Sequence, residues 1–207
     1  ACNQLIRTAE QMVITSNFSV ITALEYMTKE LAKITDVSLV WVKICKENQG
    51  QVLSHSGEIS EFLFVNNKTW AGLHNEDSPV ISAIREHQLI RKIVGSSLPS
   101  EWESRLEHDE IKDSLFVPFY LAGGETHAVI GLHSQHLGTF DAEFQLLMTD
   151  FSDGLRLICQ MADDQNLMRL HRAAVEKTAN AIMITDHFGD IEWVNDAFSK
   201  QTLFQPE

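Results

Sequence analysis

The chain is short of positive charge. Its 207 residues hold 16 Lys and Arg against 29 Asp and Glu, a formal net charge of −13. Phosphate backbones and anionic membrane surfaces are bound by clustered cations, so neither is expected as a partner. Cysteine is equally scarce. Cys2, Cys45 and Cys159 are odd in number and far apart, which argues against a disulfide framework and against a metal site built on closely spaced pairs. No secretory leader is visible, and a reducing cytoplasm is the expected compartment. No apolar run approaches the roughly 20 residues of a spanning helix, so no membrane insertion is expected in this segment. The chain opens on Ala-Cys without Met and reads as an excerpt of something longer. What remains is ordinary globular material: 44% of the residues are hydrophobic, enough for one large or two small domains.

Proline is also missing from Thr139 to Thr178, and that absence permits one long helix. Asp141 or Thr139 can cap it, and Glu143 sits in the first turn, where a carboxylate meets the positive end of the helix dipole. Forty residues of helix span roughly 60 Å, more than one compact domain of this size, so the helix is expected to leave one body and enter another. Phe151, Ile158, Met161, Gln165, Met168, Arg172 and Val175 fall on a three-and-four spacing with Gly154. This is a heptad seam with two polar interruptions, the pattern of a helix that pairs with its twin in a parallel homodimer. The alternative is an amphipathic helix lying on its own core.

Upstream, Asn3 to Thr35 has helical periodicity through Leu5, Met12, Ile21, Leu24, Met27, Leu31 and Ile34, with a break near Thr15–Phe18. Val37–Cys45 and Gln51–Ser56 read as a hairpin around an Asn48-Gln49-Gly50 turn. Gly57 to Ser78 is irregular. Pro79–His87 reads as a short helix with Ser78 as its cap. Leu89–Val94 is a strand, Ser97–Glu107 a short helix or turn, and Ser114–Leu121 with His127–His133 another strand pair. The expected class is α+β: a mainly antiparallel sheet, the first and last helices on one face, the irregular region on the other.

The closing half carries a resemblance. Ser114-Leu115 with Pro118, then Gly123-Gly124, then Gly131 with Leu132, then Phe140 with Glu143 resemble, in order, the later motifs of a GAF domain. The resemblance covers about residues 5 to 160. Residues 161–179 would be a coiled-coil-like linker helix. From Leu170 onward, through Ala-Asn-Ala-Ile-Met-Ile-Thr-Asp-His-Phe-Gly-Asp-Ile-Glu-Trp-Val-Asn, the chain resembles the opening of a PAS domain. Ala181–Thr185 and Asp190–Val194 would pair around a turn, and Asn195-Asp196 would start a helix. Leu203 stands where that family often has Gly. Residues 180–207 would thus be an incomplete PAS-like segment, loosely held or borrowing a surface, because a lone hairpin is marginal in water.

Both resemblances imply sensory modules. The expected whole is the input region of a signalling protein, with an output domain such as a histidine kinase or diguanylate cyclase further along the same chain, and a small ligand sensed by the GAF-like part. A ligand-free dimerisation scaffold with a degenerate pocket is the alternative. Ligand contacts are expected from Phe64, Trp70, His74 and Trp102 in the irregular region. The cofactor stays unknown. Asn67-Lys68 and Phe140-Asp-Ala-Glu depart from the cyclic-nucleotide signature, and no Cys adjoins a His in that region, as bilin attachment wants. Haem stays open through His74, His87 or His108; otherwise the nine histidines read as exposed loop residues. The methionine-sulfoxide-reducing GAF enzymes place cysteines in the irregular region, which has none here. No paired carboxylates support catalysis, so no enzyme and no metal site are expected.

Overall fold

The computed structural model describes residues 7–8, 20–46, 49–57, 78–95, 106–107, 110–121 and 126–204. The chain divides into two compact units, residues 1–162 and 163–207.

The first unit is an α+β fold. Helix α1 (Val20–Leu31) leads into strands β1 (Leu39–Lys46) and β2 (Gln49–Gly57). Helix α2 (Pro79–Glu86), β3 (Ile90–Ile93), β4 (Asp113–Leu121) and β5 (Thr126–Ser134) follow, then helix α3 begins at Ala142. The five strands form one antiparallel sheet in the order β2-β1-β5-β4-β3. Because strand side chains alternate between faces, the sheet builds two cores. On one side Val40, Val42, Leu115, Val117, Ile130 and Leu132 pack with Leu24, Met27 and Leu31 of α1 and with Met148, Phe151, Leu155 and Ile158 of α3. On the other, Leu39, Trp41, Phe116 and Val129 pack with Val80 and Ala83 of α2.

Local chemistry explains the boundaries. Pro79 stands at the first helical position of α2, but Ser78 makes no side-chain capping bond, contrary to expectation. Its carbonyl instead accepts from Ser82 N at 2.9 Å. Asp141 caps α3 as expected, Oδ1 accepting from Phe144 N at 2.8 Å. Ile21, expected on the apolar face of α1, is exposed. Gln49 and Gly50, expected in a turn, are strand residues, because their backbones pair with Lys46 and Cys45. Leu5, Met12 and the expected helix break lie outside the described residues.

Helix α3 (Ala142–Lys177) is 36 residues long, and its last part belongs to the second unit. There β6 (Met183–Thr185) and β7 (Ile191–Val194) form a two-stranded antiparallel sheet, followed by α4 (Asp196–Thr202). Asn195 is buried at the centre of this unit. Its Oδ1 accepts from Ile182 N and Phe198 N, both at 2.9 Å. Its Nδ2 donates to the carbonyls of Val175 at 3.1 Å and Asn180 at 2.9 Å. One side chain therefore caps α4, pins the hairpin and holds the last turn of α3. Among the described helices none is long and apolar enough to cross a membrane.

Candidate functional site

The sheet face beneath α2 is the more polar of the two. Alternation and register place Trp41, Lys43 and Cys45 of β1 on it, with His127, Val129, Gly131 and His133 of β5 and Ser114, Phe116 and Tyr120 of β4. A hydrogen-bonded chain crosses these strands. Trp41 Nε1 donates to His133 Nε2 at 2.8 Å, and His133 Nδ1 lies 2.9 Å from Ser114 Oγ. An indole N–H can only donate, so His133 Nε2 accepts. The neutral ring then carries its proton on Nδ1 and donates to the serine. Burial pushes His133 down from 6.5 to about 3, because an imidazolium loses its hydration there. Gly131 makes room for this arrangement: a Cβ at that position would overlap the Trp41 ring.

Two further groups share the face. Tyr120 OH bonds to the His87 ring, at 3.0 Å from Nε2. The His127 ring lies 5.2 Å from Tyr120 and 6.3 Å from His87, centroid to centroid. Desolvation, then the charge of His87, lowers the His127 pKa. Lys43 is 2% exposed; burial pushes its ammonium down and the Cys45 thiol up.

On the opposite face Asp113 forms a clamp. Arg91 Nε and Nη2 donate to its two oxygens at 2.9 and 2.6 Å, and Gly138 N and Phe140 N donate to Oδ2 at 3.0 and 3.4 Å. The hydrogen bond to Asp113 raises the Arg91 pKa further. This carboxylate ties the edge strand β3 to the loop that starts α3.

The expected ligand contacts Phe64, Trp70, His74 and Trp102 lie outside the described residues, as does His108. His87 is found at the end of α2, engaged with Tyr120. His133 corrects the expectation of exposed loop histidines, for it is a strand residue sealed in the sheet. Two signals point to it: alternation sets it in line with Val129, and a glycine inside a strand marks the close approach of a large group. The seam divides. Phe151 and Ile158 are 0% and 2% exposed and packed on their own sheet, so they are not open to a partner helix. The three-and-four spacing is the same whether a sheet or a second helix covers the stripe. Met161 and Val175 are half-buried, Gln165 and Arg172 are exposed, and Met168 is 71% exposed.

No protein-family profile and no curated relative matches the chain. Solved structures do. The phycoerythrobilin-bound GAF domain of a cyanobacterial phytochrome superposes with a TM-score of 0.61 at 12% identity, covering 80% of this chain and 98% of that one. The fold is that of a GAF domain. Free methionine-R-sulfoxide reductase from Neisseria meningitidis, solved with its substrate, shares it at TM-score 0.57 and 12% identity over 79% of this chain and 91% of that one. So does a protein described as a GAF sensor from Burkholderia vietnamiensis, at TM-score 0.56 and 14% identity with the same coverage. The GAF fold thus serves both sensors and an enzyme. A covalently held bilin does not fit the described residues. Cys45 does have a histidine across the ladder, His127, but its thiol is buried and held protonated, the opposite of a reactive cysteine. Cys159 is buried in α3.

Proposed function

We propose that the chain is the sensory input region of a multidomain signalling protein. Its GAF-fold unit senses a small ligand on the α2 face of the sheet. Helix α3 relays the result to the second unit, the start of a PAS-like domain, and the region works as a parallel homodimer in the cytoplasm. The observation that carries this is the apolar stripe of α3 beyond the sheet, half-buried at Met161 and Val175 and exposed at Met168. Beyond the sheet-packed residues, Met161, Met168 and Val175 keep a strict seven-residue spacing, and Met168 stands in solvent. A helix keeps such a stripe for a second partner. Gln165 and Arg172 between them cost stability and fix register. The output domain, a histidine kinase or diguanylate cyclase, would follow in the same chain.

A binding role fits better than a catalytic one. The described cysteines, Cys45 and Cys159, are both buried, whereas sulfur redox chemistry runs through accessible thiolates. The competing reading is a ligand-free dimerisation scaffold, and one observation favours it: Trp41, Phe116 and Val129 fill part of the α2 face themselves. Sedimentation velocity of the whole chain and of Met168→Asp separates the seam from mere helix amphipathicity. A dimer that becomes a monomer in the variant supports the relay. A monomeric wild type sinks both the relay and the scaffold.

A further inference from the structure

The charges beside the seam of α3 are ordered by sign. Beyond the turns packed on the sheet, the seam runs through Gln165, Met168, Arg172 and Val175. Asp164 and His171 stand on one flank of it, Arg169 and Glu176 on the other. Asp164, Arg169 and His171 are exposed, and Glu176 is half-buried. Asp164 and Arg169 are five residues apart, roughly 140° round the helix, so the seam lies between them and they do not meet within one chain. Residues on one helix interact at spacings of three and four. No residue at those spacings from Asp164 is basic, and none from Arg169 is acidic. Arg169 donates from Nη2 to Asn166 Oδ1 at 2.9 Å, an exposed bond, and its guanidinium has further N–H groups to offer.

Between two parallel helices in register, a residue on one flank of the seam meets the opposite-flank residue five positions further on in the other chain. Asp164 then faces Arg169 of the partner subunit, and His171 faces Glu176 of the partner subunit. Two-fold symmetry repeats each pair. A slip of one heptad would instead set Asp164 against Glu176 and His171 against Arg169, acid against acid and base against base. The charges therefore match in one register and clash in the next. Upstream the flank that holds Arg169 carries Leu155, 1% exposed, and half-buried Ala162, both packed on the sheet core. The charged flanks begin where the cover of the sheet ends.

We propose that Asp164 and Arg169 are the specificity-determining residues of a self-pairing surface on α3. The occupant of that surface is a second copy of this chain, held parallel and in register by two symmetric Asp164–Arg169 contacts. This rests on the dimeric relay above and names the residues that choose its partner. Met168 and Val175 supply apolar contact that any amphipathic helix could match; the flanking charges restrict it to a helix with the same order of signs. A helix with a base in place of Asp164 is refused, because like charges then face each other across the seam.

The test uses the whole chain and a charge exchange, at low ionic strength because exposed charges are screened by salt. Asp164→Arg and Arg169→Asp each turn two attractive contacts per dimer into two repulsive ones. Sedimentation equilibrium should show self-association of either variant weakened by about tenfold. An equimolar mixture of the two should form the mixed dimer in preference, since every Arg then faces an Asp; native mass spectrometry separates the three species by mass. The double variant D164R/R169D should associate like the wild type, which also shows that neither change harms the fold. Wild-type association of both single variants, random mixing of the two, or a double variant as weak as the single ones overturns the proposal. A wild-type dimer with any of these results leaves the relay standing without its charge code, whereas a monomeric wild type removes both.

Discussion

His133 makes the first unit sensitive to mild acid. In the folded protein its pKa falls from 6.5 to about 3, because the ring is fully buried. A histidine lowered in this way binds fewer protons when folded than when unfolded. Stability therefore rises with pH across the interval between the two values. The contribution is complete above 6.5 and is lost as pH falls from there towards 3. Between pH 7 and pH 5 the loss is about 2 kcal/mol, taking about 1.4 kcal/mol per pKa unit. For a unit of this size that lowers the melting temperature by roughly 4–8 °C. Half-exposed His127 is lowered too and adds a smaller, screened amount in the same direction. The control is His133→Gln, whose amide can still accept from Trp41 and donate to Ser114 but does not titrate. Urea unfolding of both proteins, followed by near-ultraviolet circular dichroism at pH 7, 6 and 5, should show a much flatter pH dependence in the variant. Equal slopes in the two proteins would refute the assignment of a neutral, sealed His133.

Other substitutions have expected outcomes of their own. Gly131→Ala places a methyl group on the Trp41 ring and should cost about 1–3 kcal/mol for overpacking, with a further loss if the Trp41–His133 bond breaks; chemical denaturation reads it. Asp113→Ala leaves Arg91, Gly138 N and Phe140 N without their acceptor and should cost about 3 kcal/mol, seen as a lower denaturation midpoint. Leu203 ends α4 at φ 60°, a left-handed conformation that costs a non-glycine residue roughly 1–2 kcal/mol. Leu203→Gly should therefore slow amide exchange in α4, and faster exchange would count against the strain. Asn195→Ala should speed exchange at Ile182 and Phe198, the two amides it accepts from.

The elements set by local chemistry were legible in the sequence. The Asp141 cap, the turn at Asp186–Gly189 and the Asn195 cap depend on neighbours within a few residues. The strands were legible because β-branched and aromatic residues mark them. What no local pattern carries is the pairing of β1 with β5, ninety positions away, and with it the meeting of Trp41 and His133. Alternation and Gly131 mark His133 as a position on a packed face, but its partner across the sheet is a long-range fact that no local pattern supplies. The hairpin start was misread because Gln49 and Gly50 are turn formers by composition, while ladder bonds to β1 hold them in a strand. The heptad seam was legible as a stripe but not as an assignment, since a sheet covers Phe151 and Ile158 as well as a second helix would. Leu203 shows the reverse case. Its positive φ is a conformation that suits glycine, which the residue type alone does not reveal.

The dimeric relay stands or falls on α3, and cysteine cross-linking along it tests the matter most directly. Cys45 and Cys159 are buried, and with Cys2 replaced by Ser an introduced cysteine reports its own surroundings. Met168→Cys should form an intermolecular disulfide rapidly under mild oxidation. Leu170→Cys, roughly 200° further round the helix, should not. A parallel, in-register pair of α3 helices requires that pattern. Equal cross-linking at both positions, or none at Met168→Cys, would contradict it.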